Sequence, residues 1–260
     1  IRAIMSSWTS LRYNSYAIDI IRDANIDTPA VVEDSTTERI EFTDKIAIKD
    51  LYFRFEDSQS DTLSNINFDI HKGEKIGING RSGAGKTTLF NLLLGLYAPS
   101  KGSITIDGKE LTAENRRKWQ NSIGYVSQSV FLTDSTLIAN IALGCKEEDI
   151  DMERISRAIE AASLSEFVNS LPNGIYTRIG ECGALLSGGQ RQRIGIARAL
   201  YKGAEVLFFD EATSSLDNQT EQSINDAIVS LAEANSALTI VVIAHRDSSL
   251  AYCDRVITLE

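Results

Sequence analysis

Two glycine-rich segments and one pair of acids carry side chains and backbone groups that could handle phosphate. The run Gly80-Arg81-Ser82-Gly83-Ala84-Gly85-Lys86-Thr87 has the spacing G-x-x-x-x-G-K-[ST]. Glycines let a backbone turn closely around a triphosphate so that successive N–H groups face it, and a helix beginning at the turn adds the positive end of its dipole. The spacing assigns Lys86 to the β- and γ-phosphates and the Thr87 hydroxyl to Mg²⁺, with Asn79 and Thr88 flanking the cradle. A second segment, Val206-Leu207-Phe208-Phe209, ends in Asp210-Glu211. An apolar strand that delivers acids to a sheet edge complements a phosphate loop: Asp210 would hold Mg²⁺ through water, and Glu211 would polarise the attacking water as general base. The third segment, Leu186-Ser187-Gly188-Gly189-Gln190, opens another helical run. It reads as a second anion site, in which Ser187 supplies an additional donor. One domain with two phosphate-binding ends predicts that each nucleotide is shared between two subunits.

These residues need a frame, and the apolar pattern supplies one. The runs Ile46-Ala47-Ile48, 51–55, 66–70 and 75–78 are short and β-rich, which predicts a β-rich opening subdomain feeding a central strand ahead of the phosphate loop. A helix is expected over 87–94. Residues 206–209 and 238–243 are continuous apolar runs, as parallel strands buried on both faces require. The core is therefore expected to be α/β. From about Thr112 to Ser170 the chain is polar and helix-rich, and with the helical run that follows it reads as a helical insertion over about 112–200. At the start, Ile1, Ile4, Trp8, Leu11 and Ile18 form an apolar stripe. Residues 1–24 are accordingly expected to be an amphipathic helix, one that either docks on the domain or continues from a transmembrane domain upstream of residue 1. A polar linker spans 25–38 and the catalytic domain 39–260.

Composition narrows the classes. Among 260 residues, Asp and Glu number 36 against 26 Lys and Arg, for a formal net charge of -10. Such a surface repels phosphate backbones, so no nucleic-acid partner is expected. Cys145, Cys182 and Cys253 form no C-x-x-C pair and no zinc spacing, consistent with free thiols in a reducing compartment. No apolar run reaches the ~20 residues of a membrane-spanning helix, so the segment itself is expected to be soluble.

Taken together, the phosphate loop, the Ser187–Gln190 segment and the Asp210-Glu211 pair resemble the ABC ATPase family. That resemblance implies a P-loop NTPase core with a parallel sheet, an N-terminal antiparallel β subdomain and a helical signature subdomain. It also implies a head-to-tail homodimer closing on ATP and Mg²⁺. Residue by residue, Phe55 matches the aromatic that stacks on adenine, where the family more often has Tyr. Gln128 matches a glutamine that contacts Mg²⁺ and the attacking water. Ser214-Ser215-Leu216-Asp217 matches the loop that couples the two sites across the dimer, and His245 matches a histidine on the γ-phosphate. His71 matches nothing and reads as a surface residue. The segments 134–141 and 177–183 resemble those of exporters, although Arg178 stands where the family usually has Glu. The segments 12–15 and 193–201 look like bacterial lipid-linked oligosaccharide or polysaccharide exporters. The resemblance thus favours ATP-driven export at the cytoplasmic face of the inner membrane, by a domain fused to a transmembrane domain. The alternatives are a soluble ABC ATPase of DNA repair or translation, and an ABC importer subunit.

Overall fold

The computed structural model describes residues 38–180, 183–211, 217–244 and 246–259, together with Met5, Trp8 and Arg12. The chain divides into two units, Ile1–Thr36 and Thr37–Glu260. Of the first unit, Met5, Trp8 and Arg12 are helical; Ile1, Ile4, Leu11 and Ile18 lie outside the described residues, as does the proposed linker up to residue 37.

The second unit holds two sheets. Strands β1 (Lys45–Phe53), β2 (Leu63–His71), β4 (Lys101–Ile106) and β5 (Lys109–Glu110) form an antiparallel sheet in the order β2-β1-β4-β5. Strands β3 (Lys75–Gly80), β6 (Ile123–Val126), β7 (Val206–Asp210), β8 (Thr239–Ile243) and β9 (Arg255–Leu259) form a parallel sheet in the order β6-β7-β8-β3-β9. This is the two-sheet α/β architecture expected from the sequence. Two boundaries differ. The early apolar runs form one strand, β1, with a register shift between Ile48 and Leu51, and it ends at Phe53. Phe55 therefore lies beyond the strand, because the chain turns back as the Thr62 N–H donates to Phe53 O (2.8 Å). The stretch read as a helical insertion also contains β6, which pairs with β7 as part of the central sheet.

Why the central parallel strands β7 and β8 are almost wholly apolar follows from alternation. Along β7, Val206 and Phe208 face one core with Phe90 and Ile76, while Leu207 and Phe209 face another with Ile194 and Ile224. Along β8, Val241 and Ile243 take the first side, Ile240 and Val242 the second. Each such side chain contributes about 1.5–3 kcal/mol by leaving water. The first core is closed by α1 (Lys86–Leu93) and α2 (Arg116–Ser122). Buried Trp119 of α2 donates its indole N–H to Leu93 O (2.7 Å), satisfying a carbonyl at the C-terminal end of α1 that has no partner within the helix. The second core is closed by α3 (Leu137–Ile141), α4 (Met152–Ala161), α5 (Ser165–Ser170), α6 (Gly188–Lys202) and α7 (Asn218–Ala234).

The C-terminal end of α6 gathers cations onto its orphan carbonyls. Arg39, in the segment leading into β1, donates to Gly203 O (2.9 Å) and to Lys202 O, and Arg154 donates to Tyr201 O. The helix stops at Gly203, whose φ of 73° suits glycine.

Candidate functional site

In a parallel sheet all strands present their carboxyl ends at one edge, where open α/β folds place ligands. Here β3 runs into the phosphate-loop sequence, β7 ends in Asp210 with Glu211 following, and the turn after β6 carries Gln128. Topology therefore brings Gly80, Asp210, Glu211 and Gln128 to a single edge. His245 follows β8 in the chain but lies outside the described residues, as do Ser214, Ser215 and Leu216.

The loop from Gly80 to Gly85 folds around the side chain of Lys86. Its Nζ donates to Gly80 O (2.8 Å) and Arg81 O (3.0 Å), and the residue is only 5% exposed. Asn79 accepts the Gly80 N–H on its Oδ1 (2.7 Å), and the Ala84 N–H donates back to Arg81 O (3.1 Å). Arg81, Ser82, Gly83 and Thr87 are exposed, whereas Ala84, Gly85 and Thr88 are half-buried. Gly85 precedes α1 in the left-handed region, with φ 87°, and no side chain caps the helix. A Cβ on Gly85 would lie 2.7 Å from Leu63 Cδ2 and 3.1 Å from Thr62 O. At Gly83, with φ 85°, a Cβ would meet nothing within 4 Å. The turn is thus closed behind, against β2, and open in front. The first N–H groups of α1, which no helical residue can satisfy, have room before them for an anion.

Opposite the loop, Asp210 is buried to 9% exposure and accepts the Tyr125 hydroxyl on Oδ2 (3.1 Å). Burial pushes its carboxyl above the usual range; the Tyr125 hydrogen bond pulls the other way, the neighbouring Glu211 charge adds to the rise, and Lys86 offsets it. Tyr125 in turn is pushed above the ordinary phenol range by burial and by Asp210. Glu211 takes φ 48°, rare for a residue with a side chain, while its N–H donates to Ile243 O (3.0 Å). An acid held in a disfavoured conformation at a sheet edge is a feature of functional sites. Gln128 is exposed; its carbonyl and that of Ser127 are bridged by the buried Gln192 Nε2, at 2.7 and 3.2 Å. That tie to α6 had no signal in the local sequence.

The second glycine-rich segment is built differently. Ser187 caps α6: its Oγ accepts the Gln190 N–H (3.2 Å), and its own N–H donates to Gln190 Oε1 (2.9 Å), a reciprocal capping box. The hydroxyl expected as a donor is thus engaged as an acceptor, which leaves its proton available. Gly188 is half-buried, and Gly189 is buried where a Cβ would come within 2.5 Å of Thr220 Cγ2. That approach seats the start of α6 on the start of α7, where Asp217 caps by accepting from the Thr220 N–H (3.0 Å) and hydroxyl (2.7 Å). These bonds hold the Asp217 carboxyl below its ordinary range. The structure therefore joins Ser187, Gly188, Gly189, Gln190 and Asp217 in one group.

Phe55 is 44% exposed and belongs to a three-ring cluster. Phe53 and Tyr97 stack at 5.4 Å, and Phe55 stands edge-on to both, at 4.9 and 5.9 Å. Tyr97 was not anticipated. Its 42-residue separation from Phe55 gives no periodic signal. The exporter-like segments 134–141 and 177–183 also meet, through an antiparallel bridge between Thr136 and Arg178 and a contact from Arg178 to Asp134 Oδ2 (3.4 Å). Glu181 and Cys182 lie outside the described residues.

A two-sheet α/β domain with a lysine-filled phosphate loop, an acid pair at the neighbouring strand end and a separately capped glycine-rich helix has the ABC ATPase fold. Residues 63–214 match the ABC transporter family model, and the chain belongs to that family. Among its relatives, an ATP-dependent lipid A-core flippase of Ralstonia nicotianae is 40% identical over 236 residues, 90% of this chain and 39% of the relative. One from Francisella novicida is 42% identical over 238 residues, again 90% of this chain and 39% of the relative. The chain thus spans about two fifths of the length of these curated relatives. A solved structure of a bacterial Atm1-family ABC exporter with ATP bound is 32% identical, with a TM-score of 0.80, and the match covers 95% of this chain and 43% of that one.

Proposed function

We propose that this chain binds and hydrolyses Mg-ATP as the nucleotide-binding domain of an ABC exporter. The observation that carries the proposal is the juxtaposition at one sheet edge: an uncapped helix start with Lys86 folded into its loop, facing the Asp210-Glu211 pair. The open space before Gly83 and the exposed Thr87 fit a triphosphate, and a buried carboxylate beside an exposed hydroxyl fits a divalent cation held mainly through water. Thr87, Asp210 and Gln128 would hold Mg²⁺. When bound, the ion would supply neutralisation of phosphate charge. The chain's own residues do the rest. Backbone N–H groups of the loop and of the start of α1 orient the phosphates, Lys86 leaves its loop carbonyls to balance their charge, and Glu211 accepts the proton of the attacking water. Phe55 stacks on the base, and His245 serves the γ-phosphate.

The group Ser187–Gln190 with Asp217 would complete the site of a second copy, two ATP molecules lying in a head-to-tail dimer. A transmembrane domain fused upstream of residue 1 would receive the motion at the cytoplasmic face of the inner membrane. The relatives are named ATP-dependent lipid A-core flippases and the solved neighbour an ABC exporter, which supports a lipid cargo of that kind. Among the described residues no helix is long and apolar enough to cross a membrane.

Glu211→Gln tests the proposal. The variant should bind Mg-ATP as the parent does while hydrolysis falls by about 10²–10⁴, the worth of a general base. Size-exclusion chromatography should show a dimer with Mg-ATP and none with ADP. Hydrolysis at the parental rate would remove Glu211 from the chemistry.

A further inference from the structure

Strand β6 contributes one exposed side chain, and that side chain reaches into the site. Ile123, Gly124 and Val126 are buried, whereas Tyr125 is 44% exposed. Tyr125 lies opposite Phe208 in the β6–β7 register, and Asp210 is two residues beyond Phe208 on the same face of β7. The phenol extends along that face toward the strand end, and its hydroxyl donates to Asp210 Oδ2 at 3.1 Å. A ring this exposed contributes little to the core, so what distinguishes Tyr125 from another half-exposed strand residue is the placement of its hydroxyl.

Asp210 is where such a placement matters. Its carboxylate is taken out of water and sits beside a second acid, Glu211, with Lys86 as the compensating charge nearby. A carboxylate in this position can rotate about χ2 toward Lys86 or away from Glu211. A donor fixed on one oxygen from the neighbouring strand removes that freedom, and outer hydrogen bonds of this kind commonly set metal affinity.

We propose that Tyr125 is a positioning residue for the divalent cation that accompanies the nucleotide: by holding Oδ2 of Asp210 it fixes the plane in which that carboxylate meets the cation's coordinated water. The inference rests on the reading of Asp210 as the carboxylate that serves Mg-ATP.

Tyr125→Phe removes the hydroxyl and keeps the ring. In the full chain carrying Glu211→Gln to stop turnover, ATP binding is measured by calorimetry in EDTA and across a Mg²⁺ titration. The expected result is unchanged ATP affinity in EDTA, within 2-fold, and a Mg²⁺ half-saturation raised by about 10-fold, the lower end of what outer-shell partners contribute. An unchanged Mg²⁺ requirement would overturn the proposal. So would an equal loss of ATP affinity in EDTA and in Mg²⁺, which would place the hydroxyl in the packing of the nucleotide site. Asp210→Asn serves as the reference and should abolish the Mg²⁺ effect on binding. If Asp210→Asn keeps it, the assignment of Asp210 fails first, and the two failures are told apart.

Discussion

The chain begins two helices on glycine-rich turns and finishes them in opposite ways. At α1, Gly85 sits in the left-handed region and no side chain caps the helix, so its first N–H groups stay turned toward open space in front of Gly83. At α6, Ser187 and Gln190 cap each other, so the Ser187 and Gln190 N–H groups are satisfied from within. An uncapped start next to a buried lysine is a receptor that needs an anion to complete it. A capped start is satisfied in part without one, and what it can offer is its remaining first-turn N–H groups, a hydroxyl proton and a dipole end. On the proposed function, the first turn would take the chain's own nucleotide and the second a nucleotide held by another subunit.

The contrast is broken most directly at Lys86. Replacing it with Ala should weaken ATP binding about 10- to 100-fold, as expected for losing a charge-assisted hydrogen bond of about 1.5–3 kcal/mol, with the fold intact by circular dichroism. Ser187→Arg should leave the affinity of one chain for ATP within about 2-fold by calorimetry while abolishing hydrolysis, because on the proposed function the lesion would lie in the partner's site. Equal losses of binding in the two variants would erase the distinction between the turns.

The next prediction concerns conformation. Gly85→Ala must place a Cβ against Leu63 Cδ2 and Thr62 O while holding φ near 87°, and it should destabilise the domain by about 2 kcal/mol in urea unfolding. Full stability would mean that the turn can relax, and that its shape is set by the ligand and not by the fold.

The smallest effect should come from the cap. Ser187→Ala loses the bond to the Gln190 N–H and should cost about 1 kcal/mol in the same assay, whereas Ser187→Asn, another good cap, should cost less than half of that. If Ala and Asn are equally tolerated, the capping box contributes nothing to stability, and the two helix starts differ less than their geometry implies.

What the sequence made legible was whatever is local. The phosphate loop, the acid pair after an apolar strand and the Ser-Gly-Gly-Gln helix start are all contiguous patterns, and β7 and β8 were visible because burial on both faces leaves them almost no polar positions. The contacts that tune these parts were not legible, since they join distant residues. Tyr125 meets Asp210 across 85 positions, and Gln192 ties down the Gln128 turn across 64. No periodicity connects such pairs, and only the strand order β6-β7 and the packing of α6 bring them together. Phe55 illustrates the middle case. Its aromatic character was plain, but its place outside β1 depends on where the chain turns to pair Thr62 with Phe53, and its neighbour Tyr97 arrives from the far side of α1.

Helix α6 has 15 residues and is therefore about 22 Å long at 1.5 Å per residue. Its far end is fastened by Arg39, three residues after the boundary at Thr36. A rod pinned in this manner behaves as a strut: a load applied where the chain enters the domain is carried along the helix axis to Ser187, with little lost to bending. The segment at Arg39 thus has a short, stiff path along α6 to its Ser187 end.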